Sequence, residues 1–244
     1  MERLRGSPRA GLFFDFDGTL AEIVPRPQLA QPHPRAAAAL ARLVPRYALV
    51  AVVSGRPTEE VRRLLGVPGV EVVGLYGLGG RADRAALPAE VREAVAEAVA
   101  AVPGAWVEDK GPSLAVHFRG APDPSVAERA LRERLGDLAA ARGLLLLPGK
   151  MVLELAPPDT PGKGAVVEEA ARARGLTACL YAGDDLADLH AFAALDRLRA
   201  RGLLTAKVAV RSPEAPDGLL EAADLTVEGQ EGLAELLEEL AGEP

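Results

Sequence analysis

Two hydrophobic patterns divide this chain. Ala10–Phe16, Tyr47–Val53, Val70–Leu75 and Ala178–Ala182 are short apolar runs with almost no polar interruption. Runs of this length and composition mark strands buried on both faces of a parallel sheet. Pro34–Val44, Pro57–Leu65, Gly164–Arg174, Leu186–Leu198 and Glu231–Leu240 read as helices, with Pro34 suited to a first helical turn. Ala206–Val210 and Asp224–Val227 read as two further short strands, and Gln28–Pro34 as a Pro-rich loop. Strand alternating with helix predicts a parallel α/β sheet joined by right-handed crossovers.

The pattern changes in the middle. Pro88–Val102 and Ser125–Ala141 read as helices, Ser113–Arg119 and Lys150–Leu155 as strands that alternate polar with apolar, and Ala105–Lys110 and Gly143–Leu147 as two further strands. Residues two apart on a strand share a face. Leu114, Val116 and Phe118 therefore face one way, and Ser113, Ala115, His117 and Arg119 the other. On the last strand Met151, Leu153 and Leu155 oppose Lys150, Val152 and Glu154. This is the signature of an antiparallel sheet with one face on helices and one open. Residues 82–157 are thus expected to form a small α+β unit, inserted into a parallel-sheet unit made of residues 1–81 and 158–244.

Composition narrows the field. With 244 residues, 49% of them hydrophobic, the chain can bury a large core plus an insert. Its net charge of −7 and the lack of any Lys/Arg cluster argue against a nucleic-acid partner. Met1–Pro8 is polar and charged, and the apolar run behind it is cut by Asp15, so neither a signal peptide nor a membrane span is expected. The single cysteine, Cys179, rules out an intrachain disulfide and fits a reducing, cytoplasmic setting. The absence of Asn, with three Gln and twenty Pro, suggests a heat-stable protein. Arg outnumbers Lys by 24 to four, so Lys110, Lys150, Lys163 and Lys207 stand where a planar fork fits poorly.

Four segments carry candidate chemistry, each at a strand end or helix start, where open parallel sheets place their sites. Asp15 and Asp17 end the first strand two residues apart, so both reach one pocket, and Gly18 permits the turn behind them. Ser54-Gly55-Arg56 follows the second strand; it serves either as an ordinary helix cap or as an anion cradle. Lys163 opens a helix against the dipole's preference, so it either meets a bound phosphate or is a solvated loop lysine. Gly183-Asp184-Asp185 ends a buried strand with Asp188 one turn on; these carboxylates either favour a helix N-terminus or form a hard-cation site.

In order and spacing, Asp15-Phe16-Asp17-Gly18-Thr19-Leu20, Ser54, Lys163 and Gly183-Asp184-Asp185 resemble the motifs of the haloacid dehalogenase superfamily of phosphotransferases. The resemblance implies a Rossmann-like core and a Mg²⁺ cofactor. It implies Asp15 as nucleophile, Asp17 as general acid/base, and Ser54, Gly55 and Lys163 as phosphate-binding residues. It also implies metal ligation by Asp15, Asp184 and the Asp17 carbonyl, supported by Asp185 and Asp188. The α-β-β-α-β-β order of the insert is similar to the cap of the trehalose-6-phosphate phosphatases, as are Glu108-Asp109-Lys110-Gly111, Ser113, His117, Arg119, Lys150 and Glu154. That likeness implies sugar recognition by Arg56, Lys110, His117, Arg119, Lys150 and Glu154. It makes the expected partner a small phosphorylated disaccharide met by a cytoplasmic monomer. A related phosphatase for sucrose or mannosylglycerate phosphates, or a non-catalytic sugar-phosphate binder, is the alternative. Two segments depart from the family: Leu186-Ala187-Asp188-Leu189 lacks the usual Thr and Glu, and Leu75-Tyr76 replaces a Glu-His or Asn-His pair.

Overall fold

The computed structural model describes residues 2–5, 7–24, 27–80 and 85–242. In chain order the first elements are α1 (Glu2–Arg5), β1 (Ala10–Phe14), α2 (Pro34–Leu43), β2 (Leu49–Val53), α3 (Thr58–Leu65) and β3 (Glu71–Val73). The middle of the chain supplies α4 (Ala89–Ala100), β4 (Trp106–Asp109), β5 (Leu114–His117), α5 (Pro124–Arg142), β6 (Leu145–Gly149) and β7 (Val152–Ala156). The rest forms α6 (Gly162–Ala173), β8 (Ala178–Gly183), α7 (Asp188–Ala200), β9 (Leu204–Arg211), α8 (Asp217–Ala222), β10 (Leu225–Glu228) and α9 (Gly229–Ala241). The chain divides into two compact units, Met1–Gly80 with Pro161–Pro244, and Arg81–Thr160. The boundary expected at residue 82 lies outside the described residues. Among the described residues no helix is long and apolar enough to cross a membrane.

The larger unit holds a six-stranded parallel sheet in the order β10-β9-β8-β1-β2-β3. From β1 the chain winds outward through β2 and β3, then returns to β8 on the other side of β1. The strand order therefore reverses at β1, and the carboxyl ends of β1 and β8 flank the switch point where such sheets place their sites. Phe14 is registered against Ala182 of β8 and Val52 of β2, so Asp15 and Gly183 leave the sheet side by side. Every residue of β1 and β2 is buried because both faces are covered. Leu12 and Phe14 pack with Leu40 of α2 and Leu237 of α9, while Phe13 packs on the opposite face with Val167 of α6 and Phe192 of α7. Fully burying one such Phe contributes about 1.5–3 kcal/mol. Cys179 is buried in this second layer, which pushes its thiol up to about 12 and leaves it no nucleophile.

One expected buried strand is not fully buried. Of Val70–Leu75 only Glu71–Val73 is strand, and within that strand Val72 alone is buried, because β3 is the sheet edge. The short α8 had no periodic signal of its own.

The smaller unit is a four-stranded antiparallel sheet in the order β4-β5-β7-β6. One face carries Leu114, Val116, Phe118, Leu153 and Leu155 in a core with Val95 of α4 and Leu131 of α5. Asp123 caps α5 by accepting from Val126 N, and Gly143 ends it in the left-handed conformation. The other face is not open throughout: Ser113, Ala115 and Glu154 are buried. Two of the site candidates expected on strands lie in turns. Lys150 sits in the β6–β7 hairpin turn, where Gly149 pairs with Val152, and Arg119 follows β5, which ends at His117. The polar/apolar alternation runs on past both strand ends, so it could not mark where pairing stops.

Candidate active site

The end of β1 sets Asp15 in the interior of the larger unit. Its backbone N–H donates to Ala182 O of β8 at 2.9 Å, and its Oδ1 accepts from Phe16 N at 2.8 Å. Lys163, in the first turn of α6 and also buried, places Nζ 2.8 Å from Asp15 Oδ2 and donates to Asp188 Oδ1 at 2.6 Å. Two carboxylates thus supply the reason for a cation at this helix start. Asp188, fully buried at the start of α7, also accepts from Tyr181 OH at 2.7 Å and from the N–H groups of Asp184 and Asp185, each at 2.9 Å. A carboxylate offers about four acceptor positions, so these four donors fill Asp188. Asp184 completes the cluster: its Oδ1 accepts from Thr19 Oγ1 at 2.8 Å.

Charge balance shapes this cluster. Burial pushes the Asp15 carboxyl well above its usual range, Asp188 and Asp184 add to the push, and Lys163 opposes it. Burial works against the Lys163 charge, but Asp15 and Asp188 outweigh it and hold the ammonium protonated. Burial, with Asp188 beside it, raises the Tyr181 phenol, which therefore remains a donor. Oxygens of Asp15, Asp184 and Asp188 lie within 4.8 Å of one another. With all three ionised, the carboxylates against one ammonium leave two surplus negative charges, the complement of one divalent cation, which would also offset the push on Asp15. Because Asp188 has its acceptors filled, Asp15 and Asp184 are the side chains suited to hold that cation. The pocket also demands its glycine. Gly18 has φ +82°, and a Cβ there would come within 1.9 Å of Asp184 Oδ2.

Replacing Asp188 with Ala is expected to destabilise the protein by about 3–5 kcal/mol, since it strands a buried phenol and two backbone N–H groups and removes one partner of Lys163. Urea unfolding followed by circular dichroism measures this, and a cost below about 1 kcal/mol would contradict the hub role.

The other expected residues take definite places. Ser54 is buried at the end of β2, and its Oγ accepts from Arg56 N at 3.1 Å. Gly55 leaves room for the Tyr76 hydroxyl, which a Cβ would approach to 2.5 Å. Tyr76 itself has φ +52°, a strained value for a non-glycine residue and one that collects at functional sites. The Arg56 guanidinium bonds both oxygens of Asp17 at 2.6 and 2.7 Å. Asp17, Ser54 and Arg56 thus surround the switch point with the cluster, while Asp185 lies beside it, half-buried. In the smaller unit Glu154 accepts from Ser113 Oγ at 2.6 Å and from Lys110 Nζ at 2.9 Å. There His117 Nε2 lies 2.8 Å from Glu108 Oε2, with its ring stacked on Trp106. Lys150 and Arg119 are half-buried in their turns, apart from the strand positions of His117 and Glu154. Sequence reasoning gave no role to Thr19 or Tyr181. A hydroxyl inside the apolar run of β8 was the available signal, since a buried tyrosine needs a partner.

The switch-point cluster, parallel sheet and inserted antiparallel unit define an α/β protein of the haloacid dehalogenase type with a cap. Two solved structures share this fold. The C-terminal domain of Candida albicans trehalose-6-phosphate phosphatase matches with a TM-score of 0.83 at 23% identity, covering 99% of this chain and 94% of that one. A haloacid dehalogenase-like hydrolase from Bacteroides thetaiotaomicron matches with a TM-score of 0.64 at 16% identity, covering 94% of this chain and 98% of that one. Residues 13–217 match the trehalose-phosphatase family, and the chain belongs to it. It is 36% identical over 208 residues to the trehalose-phosphate phosphatase of Mycobacterium avium, covering 75% of this chain and 51% of the relative. It is 32% identical over 254 residues to that of Mycobacterium leprae, covering 94% and 57%. The chain thus spans about half the length of these curated relatives.

Proposed function

We propose that this protein is a Mg²⁺-dependent phosphatase that hydrolyses trehalose 6-phosphate to trehalose and phosphate through an aspartyl-phosphate. The observation that carries this reading is the buried Asp15–Lys163–Asp188–Asp184 cluster at the switch point of a trehalose-phosphatase family fold. Asp15 Oδ attacks phosphorus, the bond from phosphorus to the sugar oxygen breaks, and its electron pair leaves on that oxygen. Asp17 gives the oxygen a proton. Asp17 then takes a proton from water, the water oxygen attacks phosphorus, and the bond to Asp15 breaks to release phosphate. Lys163, Ser54 and the backbone at Gly55 hold the phosphoryl oxygens, and Lys163 offsets their charge. Asp15, Asp184 and the Asp17 carbonyl hold Mg²⁺, with Asp185 and Asp188 fixing the loop. Bound there, the ion neutralises the repulsion between carboxylate and phosphate.

Residues 82–157 act as the cap that selects the sugar. Glu154 is its centre, a buried carboxylate already oriented by Ser113 and Lys110, with His117, Arg119 and Lys150 as further polar groups of the same unit. The test of the whole reading is phosphate release from a panel of phosphorylated sugars with Mg²⁺, in which trehalose 6-phosphate has the highest kcat/KM. No release from any sugar phosphate would leave a non-catalytic binder. Within that panel, Glu154→Ala is expected to lower kcat/KM for trehalose 6-phosphate by roughly 10²-fold, because a site built for hydroxyls loses its acceptor. The loss for a small aryl phosphate should be far smaller. Equal losses on both substrates would place Glu154 in folding or chemistry instead.

A further inference from the structure

Arg56 follows β2 and reaches across to the end of β1. Its Nε and Nη2 donate to the two oxygens of Asp17 at 2.6 and 2.7 Å. Its Nη1 donates to Glu60 Oε1 at 2.6 Å and to Pro27 O at 2.9 Å. An arginine has five N–H donors, and these bonds commit four of them. Glu60 lies in the first turn of α3, so strand end and helix grip the same cation. The guanidinium carbon also stands 5.7 Å from the centre of the Phe16 ring. The Arg56 side chain is 11% exposed, while that of Asp17 is 34% exposed. A simple surface ion pair contributes little and needs no such backing. Here a partly open carboxylate is gripped at both oxygens by a buried cation, which a second carboxylate, a carbonyl and a ring hold in place. That arrangement fixes a direction. It leaves Arg56 one further N–H.

We propose that Arg56 is a positioning residue that aims the Asp17 carboxyl at the leaving oxygen and acts on the reaction through Asp17. The proposal rests on the reading of Asp17 as general acid. In that step the electron pair of the breaking phosphorus–oxygen bond goes to the leaving oxygen, which takes the Asp17 proton, and Arg56 gains and loses nothing. Its effect therefore scales with the leaving oxygen's need for a proton. A sugar alkoxide is strongly basic and needs one, whereas nitrophenolate is weakly basic and leaves with little help. The planar fork sets the plane of the carboxyl, which the point charge of a lysine does not.

The experiment measures kcat and KM for trehalose 6-phosphate and p-nitrophenyl phosphate, with Mg²⁺. It compares the wild type, Arg56→Ala, Arg56→Lys, Asp17→Asn, and Asp17→Asn with Arg56→Ala. Arg56→Ala is expected to lower kcat/KM on the sugar substrate by about 10²-fold, through kcat, with a loss at least about tenfold greater than on the aryl substrate. Arg56→Lys keeps a charge beside Glu60 and should show the same bias, to a smaller degree. If the alanine variant does not give a cooperative thermal transition, the lysine variant carries the test. In the Asp17→Asn background, Arg56→Ala should add less than about threefold, since both changes remove one function. Equal losses on the two substrates, a rise in KM alone, or full additivity with Asp17→Asn would each overturn the proposal. Asp17→Asn without a leaving-group bias would instead overturn the reading of Asp17 as acid, a failure visible before Arg56 is changed.

Discussion

Replacing Asp15 with Asn is expected to lower kcat by about 10³-fold or more, the scale set by removing a covalent nucleophile. The amide keeps the shape of the carboxyl and its place beside Phe16 N. It removes the negative oxygen that, in the proposed mechanism, forms the bond to phosphorus. Folding should survive, because Lys163 keeps Asp188 as a partner, and one of three crowded carboxylates becomes neutral. A thermal midpoint within a few degrees of wild type, measured alongside kcat on trehalose 6-phosphate, separates lost chemistry from lost structure. Residual activity within about tenfold of wild type would exclude Asp15 as nucleophile.

Removal of Mg²⁺ is expected to abolish turnover, and Asp184→Ala to lower it by on the order of 10²-fold or more even at saturating metal, since a bound ion contributes several kcal/mol of charge stabilisation. Asp184 is fully buried, Asp15 and Asp188 stand beside it, and Lys163 is the one ammonium bonded within the cluster among the described residues. Calorimetry gives a readout independent of catalysis: Mg²⁺ should give a binding isotherm with the wild type that weakens or vanishes with Asp184→Ala. Full activity in a chelated sample, or an unchanged isotherm, would show that the surplus charge is balanced in another way.

Much of the fold was legible because its signals are local. An apolar run buried on both faces, or an alternation of period two, can be read within a window of seven residues. So β1, β2 and β8, and the change of style at the insert, stand out in the sequence. The four chemical segments were legible for the same reason, since each sits where a strand ends or a helix begins. Burial limits were harder. Val70–Leu75 looks like any interior strand, and only the sheet order makes β3 an edge. Lys150 continues an alternation that the β6–β7 turn interrupts.

The sequence by itself determined which residue types stand at the carboxyl ends of the strands, and that a second unit interrupts the first. Tertiary structure decided who pairs with whom. Asp17 and Arg56 are 39 residues apart, Lys163 and Asp188 are 25 apart, and Thr19 and Asp184 are 165 apart. No periodicity reaches across such separations. These partners meet because β1 lies between β2 and β8, an order fixed by how α2 and α9 cover one face of the sheet and α6 and α7 the other. Packing pairs Arg56 with Asp17 and fills Asp188 with four donors, because a buried polar group takes the nearest partner that satisfies it.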